Sequence, residues 1–253
     1  MSTIRTTPVV RWLLIANVAA FLFQMIADTF FGTHLMDLLG LVPYRVIHHK
    51  ALWQFVSYMF LHGDLFHILF NMLVLWMIGS ELEAHWGPRF FTRYYFTCGT
   101  AGAFLYMLVQ LFVVGGTEST VPVVGSSGAI YGLLVAYGIL YSERVMLFMM
   151  VFPMKARHFV LLLAGIELVT TVFNTRSGVA NLAHLGGMVA GFATLSLSAY
   201  LRIRARRNPG SGGGRKLKRK PKHLRLVINN DAIQEFETDD TDDTDGSGKP
   251  SFH

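Results

Sequence analysis

Residues 181–201 read NLAHLGGMVAGFATLSLSAYL. The run contains no Asp, Glu, Lys or Arg. Crossing the hydrocarbon core of a bilayer takes about 20 mostly apolar residues in a helix. The stretch therefore predicts a membrane span, and its exceptions, His184 and the glycines, call for a reason, because a polar group inside a bilayer is costly.

Five further apolar runs lie N-terminal to it, at roughly 11–31, 65–80, 91–114, 127–143 and 158–174. The second is short as an apolar run, and the fifth is interrupted by Glu167. Apolar pieces at 145–152 before Pro153 blur the boundary between the fourth and fifth. The expected fold is an all-α polytopic membrane protein, with a six-helix membrane domain over 1–201 and a flexible, disordered tail over 202–253. Composition agrees. Of 253 residues 52% are hydrophobic and 15% charged, and the mean hydropathy is +0.42; an average soluble domain is about 25% charged. Residues 1–201 hold only 10 Lys/Arg and 8 Asp/Glu. An ordinary soluble enzyme and a disordered chain are excluded, and Cys98, the single cysteine, rules out an internal disulfide.

Charge sets the expected orientation. With the N-terminus cytoplasmic, that side receives Arg5, Arg11, Arg89, Arg93, Arg144, Lys155, Arg157 and the 12 basic residues of the tail. The other side receives Arg45, Lys50 and Arg176. The positive-inside rule places both termini in the cytoplasm. The first span is long for a signal peptide and no small-x-small cleavage site follows it, so it reads as a retained anchor. No Arg-rich, Ser-rich presequence precedes it, which favours a bacterial plasma membrane over an organelle. The tail is basic over 202–225 and acidic over 231–245. It reads as a topology anchor near anionic lipid head groups. No nucleic-acid partner is expected, since no aromatic residues interleave with the basic run. The segment 32–64, rich in large apolar residues near Trp53, is an ordered loop or an interfacial segment.

Four polar sets stand out in this apolar body. Gly125-Ser126-Ser127-Gly128-Ala129-Ile130-Tyr131-Gly132 opens the fourth span. Serine at a helix start is commonly an N-cap, which accounts for Ser126 or Ser127 but not for the glycines. Backbone N–H groups at a helix start are also free to stabilise an oxyanion, so a serine there is a candidate nucleophile. His184 is the second. Gly187 and Gly191 share its helix face, and Gly128 and Gly132 lie beside the Ser127/Tyr131 face. Two small-xxx-small faces let helices meet at close backbone distance and bring Ser127 within hydrogen-bond reach of His184 at matching depth. Histidine titrates near neutrality and suits a base that takes the serine proton. No acid is evident on this face to orient the base, so the pattern suggests a dyad, with the Tyr131 ring packed on the imidazole.

The third set is His62, His67 and Asn71. His67 and Asn71 share a face of the second span and are candidate oxyanion donors; the plainer reading of Asn71 is interhelical glue. Asp64 reads as an N-cap. Metal ligation by His62 and His67 is a weak reading without a carboxylate-rich cluster, and neither metal nor cofactor is expected. The fourth set is Glu167 with Asn174. A hydrogen-bonded Glu167 facing the bundle is preferred to a proton path. A small transporter built on Glu167 and the histidines would show internal repeats, which the sequence lacks. No pair of aspartates lies inside the spans to support an aspartyl protease.

Taken together, over roughly residues 10–201, the ordered set resembles the rhomboid intramembrane serine proteases. It comprises His62-Gly63 with His67 and Asn71; Gly79, Glu83 and Gly87; Gly125-Ser126-Ser127-Gly128 with Tyr131; and Ala183-His184 with Gly187 and Gly191. The resemblance implies a six-helix fold, Ser127 as nucleophile and His184 as general base. It implies oxyanion stabilisation by His67, Asn71 and the Ser127 backbone N–H, support of His184 by Tyr131, and a structural Glu83 near the entrance to span three. Trp53-Gln54 stands where many bacterial rhomboids have Trp-Arg. The implied reaction is hydrolysis of peptide bonds in or near transmembrane segments of protein substrates within the lipid bilayer. The alternative is a catalytically silent member that binds transmembrane helices.

Overall fold

The first helix shows the logic of the whole. α1 (Pro8–Phe31) starts on a proline at its first turn and stops at Gly32, whose φ of 59° is left-handed. It buries Val10, Leu13, Asn17, Phe21, Gln24 and Ala27, a stripe at helical spacing, and exposes Trp12, Leu22 and Phe23. Polar Asn17 and Gln24 point inward and large apolar side chains point outward, the reverse of a soluble helix. The computed structural model describes residues 6–115, 118–148, 152–173 and 178–207.

Segment 32–64 folds into three short helices, α2 (Leu35–Leu39), α3 (Pro43–His48) and α4 (Gln54–Ser57), followed by a 3₁₀ turn at Tyr58–Phe60. It is an ordered loop fastened to the bundle. Leu41 and Val123 exchange backbone hydrogen bonds. Gln54, fully buried, accepts from the Val42 N–H at 3.0 Å and donates to the Leu38 carbonyl at 3.0 Å. The glutamine of Trp53-Gln54 thus closes the loop onto its own backbone.

α5 (Leu65–Val74), a π-helical turn (Leu75–Gly79) and α6 (Ser80–Trp86) form one continuous apolar helix. It outruns the expected end at residue 80, because the acids of its last turns are satisfied. Glu83, buried, accepts from the Val9 and Val10 N–H groups at 3.0 and 2.9 Å and from the Thr7 hydroxyl. Its carboxylate caps the N-terminus of α1, and its backbone carbonyl accepts from the Gly87 N–H at 2.8 Å, at the entrance to the third long helix. Glu81 accepts from the Tyr137 hydroxyl at 2.9 Å and from Arg144. Asp64 caps α5 by accepting from the His67 N–H at 2.9 Å, as its position suggests.

α7 (Pro88–Val109) continues into a π-helical turn at Gln110–Val114, and α8 (Ser127–Leu140) follows the loop through Val123. The chain is not wholly helical. The apolar pieces after residue 144 form a two-stranded hairpin, β1 (Val145–Phe148) and β2 (Phe152–Lys155), paired antiparallel with Val145 opposite Lys155. α9 (Ala156–Phe173) and α10 (Gly178–Arg207) complete the bundle. α10 runs past the expected end at residue 201, through the first four arginines of the basic run to Arg207. Arg5, Asn174, Arg176 and the tail from residue 208 lie outside the described residues.

Among the described residues, five helices are long and apolar enough to cross a membrane: Pro8–Phe31, Leu65–Trp86, Pro88–Val113, Ala156–Phe173 and Asn181–Arg204. The sixth expected span is shorter. α8 has 14 residues, about 21 Å at 1.5 Å each, against about 30 Å of hydrocarbon. It is well enclosed, with ten of its residues buried against α7, α9, α10 and the α5–α6 helix.

Candidate active site

The site grows from the seam between α8 and α10. A Cβ on Gly187 would run into the backbone carbonyl of Gly128, and one on Gly191 would lie 3.1 Å from the Gly132 Cα. The two small-residue faces therefore meet backbone to backbone. That contact is what brings a side chain from the start of α8 to one on α10.

Ser127 Oγ lies 2.7 Å from His184 Nε2. The adjacent serine has a different place. Ser126 occupies the N-cap position without a side-chain capping bond, and it is buried beside the Tyr95 hydroxyl. Neither serine is a simple cap. Ser127 is the first residue of α8, and the helix's first backbone bond runs from Ile130 N–H to the Ser126 carbonyl. The N–H groups of the first turn before it lack intrahelical acceptors by construction.

The Tyr131 ring, one turn along α8, stacks on the His184 imidazole with centroids 4.4 Å apart and planes 15° from parallel. The expected dyad, however, has an acid beside it. Glu167 Oε1 lies 3.0 Å from His184 Nδ1 and also accepts from the Tyr131 hydroxyl. The cluster is thus Ser127, His184, Glu167 and Tyr131. A hydrogen-bonded Glu167 facing the bundle is what the structure contains; the absence of an acid near the histidine is what it corrects. The faces of α8 and α10 alone do not show it, because Glu167 comes from α9. The signal was available. Glu167 stands six residues before the end of α9 and His184 six residues after the start of α10. In two antiparallel neighbours, equal distance from the turn means equal depth.

Gly125 marks the edge towards α5. Its φ is 120°, a conformation L side chains rarely adopt. A Cβ there would lie 2.7 Å from His67 Nε2 and 3.6 Å from Ser127 Oγ, so His67 and Ser127 flank one point. The ring of fully buried His62 meets His67 edge-on at 5.1 Å. Asn71, buried one turn further on, donates through Nδ2 to the His67 carbonyl at 3.0 Å. That leaves its second amide proton available. Among the described residues no three His, Cys, Asp or Glu side chains are grouped to hold a metal ion.

A family model for the rhomboid domain matches residues 49–200, which contain every residue of this cluster. The chain belongs to the rhomboid family. This rhomboid is 31% identical over 191 residues to RHOMBOID-like protein 1 of Arabidopsis thaliana, covering 72% of this chain and 45% of the relative. It is 26% identical over 202 residues to Rhomboid protease AarA of Providencia stuartii, covering 75% and 71%. With Rhomboid protein 1, mitochondrial, of Saccharomyces cerevisiae it shares 31% identity over 138 residues, covering 52% and 38%. The chain spans about half the length, or less, of these plant and yeast relatives and more of the bacterial one. With its five long apolar helices, this rhomboid is a multi-pass integral membrane protein.

Proposed function

We propose that this rhomboid is an intramembrane serine endopeptidase that cleaves peptide bonds in or near transmembrane segments of membrane proteins. The observation that carries the reading is the 2.7 Å approach of Ser127 Oγ to His184 Nε2 at the N-terminus of a buried helix.

In this mechanism His184 Nε2 takes the hydroxyl proton as Ser127 Oγ attacks the scissile carbonyl carbon. The carbonyl oxygen becomes an oxyanion. The Ser127 backbone N–H, the His67 ring and the Asn71 amide are its donors, each worth roughly 3–4 kcal/mol where such donors have been removed elsewhere. The imidazolium then gives its proton to the leaving amine, forming an acyl-enzyme on Ser127. Water, deprotonated by the same nitrogen, releases the acid. Tyr131 holds the imidazole plane throughout.

The depth of the site follows from the short α8. If its C-terminal end reaches one membrane face, about 21 Å of helix leaves Ser127 below the opposite one, and α8 then completes a six-helix bundle. A substrate helix hides its carbonyls, so cleavage requires local unwinding, which small and helix-breaking residues ease. A bacterial plasma membrane is the proposed setting, and the charge distribution supports an orientation with both termini cytoplasmic. The competing reading is a silent member that binds transmembrane helices. Purified protein in liposomes, given a single-span substrate, decides between them. Ser127→Ala and His184→Ala each abolish cleavage while the variants stay folded. Cleavage retained by Ser127→Ala overturns the proposal, and no turnover by wild type on any substrate favours the silent reading.

A further inference from the structure

We propose that Glu167 is a positioning residue for the His184 base, so that the site is a Ser127–His184–Glu167 chain assembled from three helices. The inference rests on the roles of Ser127 and His184 given above, and it extends them to α9.

An imidazole accepts a proton at Nε2 only in the tautomer that carries its hydrogen on Nδ1, and that hydrogen needs an acceptor. Glu167 Oε1 supplies one at 3.0 Å. The same oxygen accepts from the Tyr131 hydroxyl. The donor inventory closes. The Ser127 hydroxyl donates to Nε2, Nδ1–H donates to Oε1, and the tyrosine hydroxyl donates to Oε1. The opposite tautomer sets the Nδ1 lone pair against a carboxylate oxygen and leaves the Ser127 proton without its acceptor. Tyr131 therefore holds the histidine twice, by the face of its ring and by fixing the acid on the ring's edge. When attack turns the imidazole into an imidazolium, the carboxylate offsets the new charge where solvent screening is weak.

A purely structural role fits the surroundings less well. α9 buries only Ala156 and Glu167, and a bond to Tyr131 alone would fasten the helix as well with a glutamine, at lower desolvation cost. The acid is instead aimed at the one nitrogen whose protonation state decides whether its partner is a base.

The test uses the full chain in nanodiscs with a single-span peptide substrate, and 15N-labelled histidine to read the tautomer of His184. Glu167→Gln lowers kcat about 10²–10⁴-fold, the range bounded by replacing the orienting carboxylate of a soluble serine protease, with KM within about threefold. Glu167→Asp, which keeps the carboxylate, recovers at least about tenfold of that loss. The Nδ1–H signal of His184 is present in wild type and lost in Glu167→Gln. Folded Glu167→Gln with kcat within about threefold of wild type, or an unchanged tautomer, overturns the proposal. Should Glu167→Gln fail to fold, the tautomer in wild type and Glu167→Asp decides: Nδ1–H in both supports it, and Nε2–H in wild type refutes it. If wild type neither cleaves nor reacts with a serine reagent, the protease reading fails, and the tautomer measurement still decides the place of Glu167.

Discussion

The helix that carries Ser127 and the helix that carries Glu167 are built on opposite plans. α8 buries ten of its 14 residues, and α9 buries two of its 18. α8 is enclosed by α7, α9, α10 and the continuous α5–α6 helix, and it meets α10 through glycine backbones. α9 turns Leu161, Val169, Val172 and Phe173 outward, an apolar surface suited to lipid. Close backbone packing leaves the serine–histidine seam little room to shift, whereas the acid's place depends on a few hydrogen bonds. One half of the cluster is held by volume and the other by bonds.

The largest break in this contrast comes from glycines. Gly187→Val pushes a side chain into the Gly128 carbonyl, a backbone clash with nowhere to relax. It is expected to destabilise by more than about 3 kcal/mol, with loss of folded protein. Gly165 on α9 has nothing within 4 Å of an added Cβ, so Gly165→Ala is expected to leave stability unchanged or raise it by up to about 1 kcal/mol. Thermal unfolding of both variants in one detergent checks the pair. Equal losses would erase the distinction between the two helices.

Next in size is Tyr131→Phe, which keeps the ring on His184 and removes the hydroxyl from Glu167. A roughly tenfold fall in kcat is expected, the loss of one hydrogen bond to a charged group, measured against wild type with the same substrate. A fall as large as that of Glu167→Gln would instead assign the positioning to the tyrosine. Glu81→Ala, which frees Tyr137 and Arg144 at the other end of α8, is expected to cost about 1 kcal/mol and to leave kcat unchanged.

The smallest effect lies between α8 and α9. Lys155 first, then Arg157, hold the Glu143 carboxyl below its usual range. A depressed carboxylate stabilises the fold above its unfolded pKa and loses that contribution as pH falls through the folded value. Glu143 is exposed and the pair is screened by water. Glu143→Gln is therefore expected to leave the unfolding midpoint at pH 7 within error, and to flatten slightly the loss of stability on acidification towards pH 3.

Which parts of this were legible in the sequence follows from range. Apolar runs are local, and the helices lie where the runs lie. The meeting of Ser127 and His184 was legible because two small-xxx-small faces at matching depth have one way to pack. The extension of the second helix to Trp86 was not, because the acids that make its last turns look terminal are neutralised by α1, Tyr137 and Arg144, all distant in sequence. The hairpin at 145–155 was hidden because a short apolar run does not distinguish strand from helix. Glu167 was seen, but its partner was not, because depth on α9 has meaning only once the turn to α10 is counted.

In the proposed mechanism Ser127 is a nucleophile activated by His184. The most direct measurement of that activation is reaction of the membrane-embedded protein with a fluorophosphonate, followed by mass-spectrometric mapping of the modified peptide. One adduct on Ser127 is expected in wild type and none in His184→Ala under the same conditions. An adduct on Ser126 or elsewhere, or labelling of Ser127 that is unchanged when His184 is removed, would contradict it.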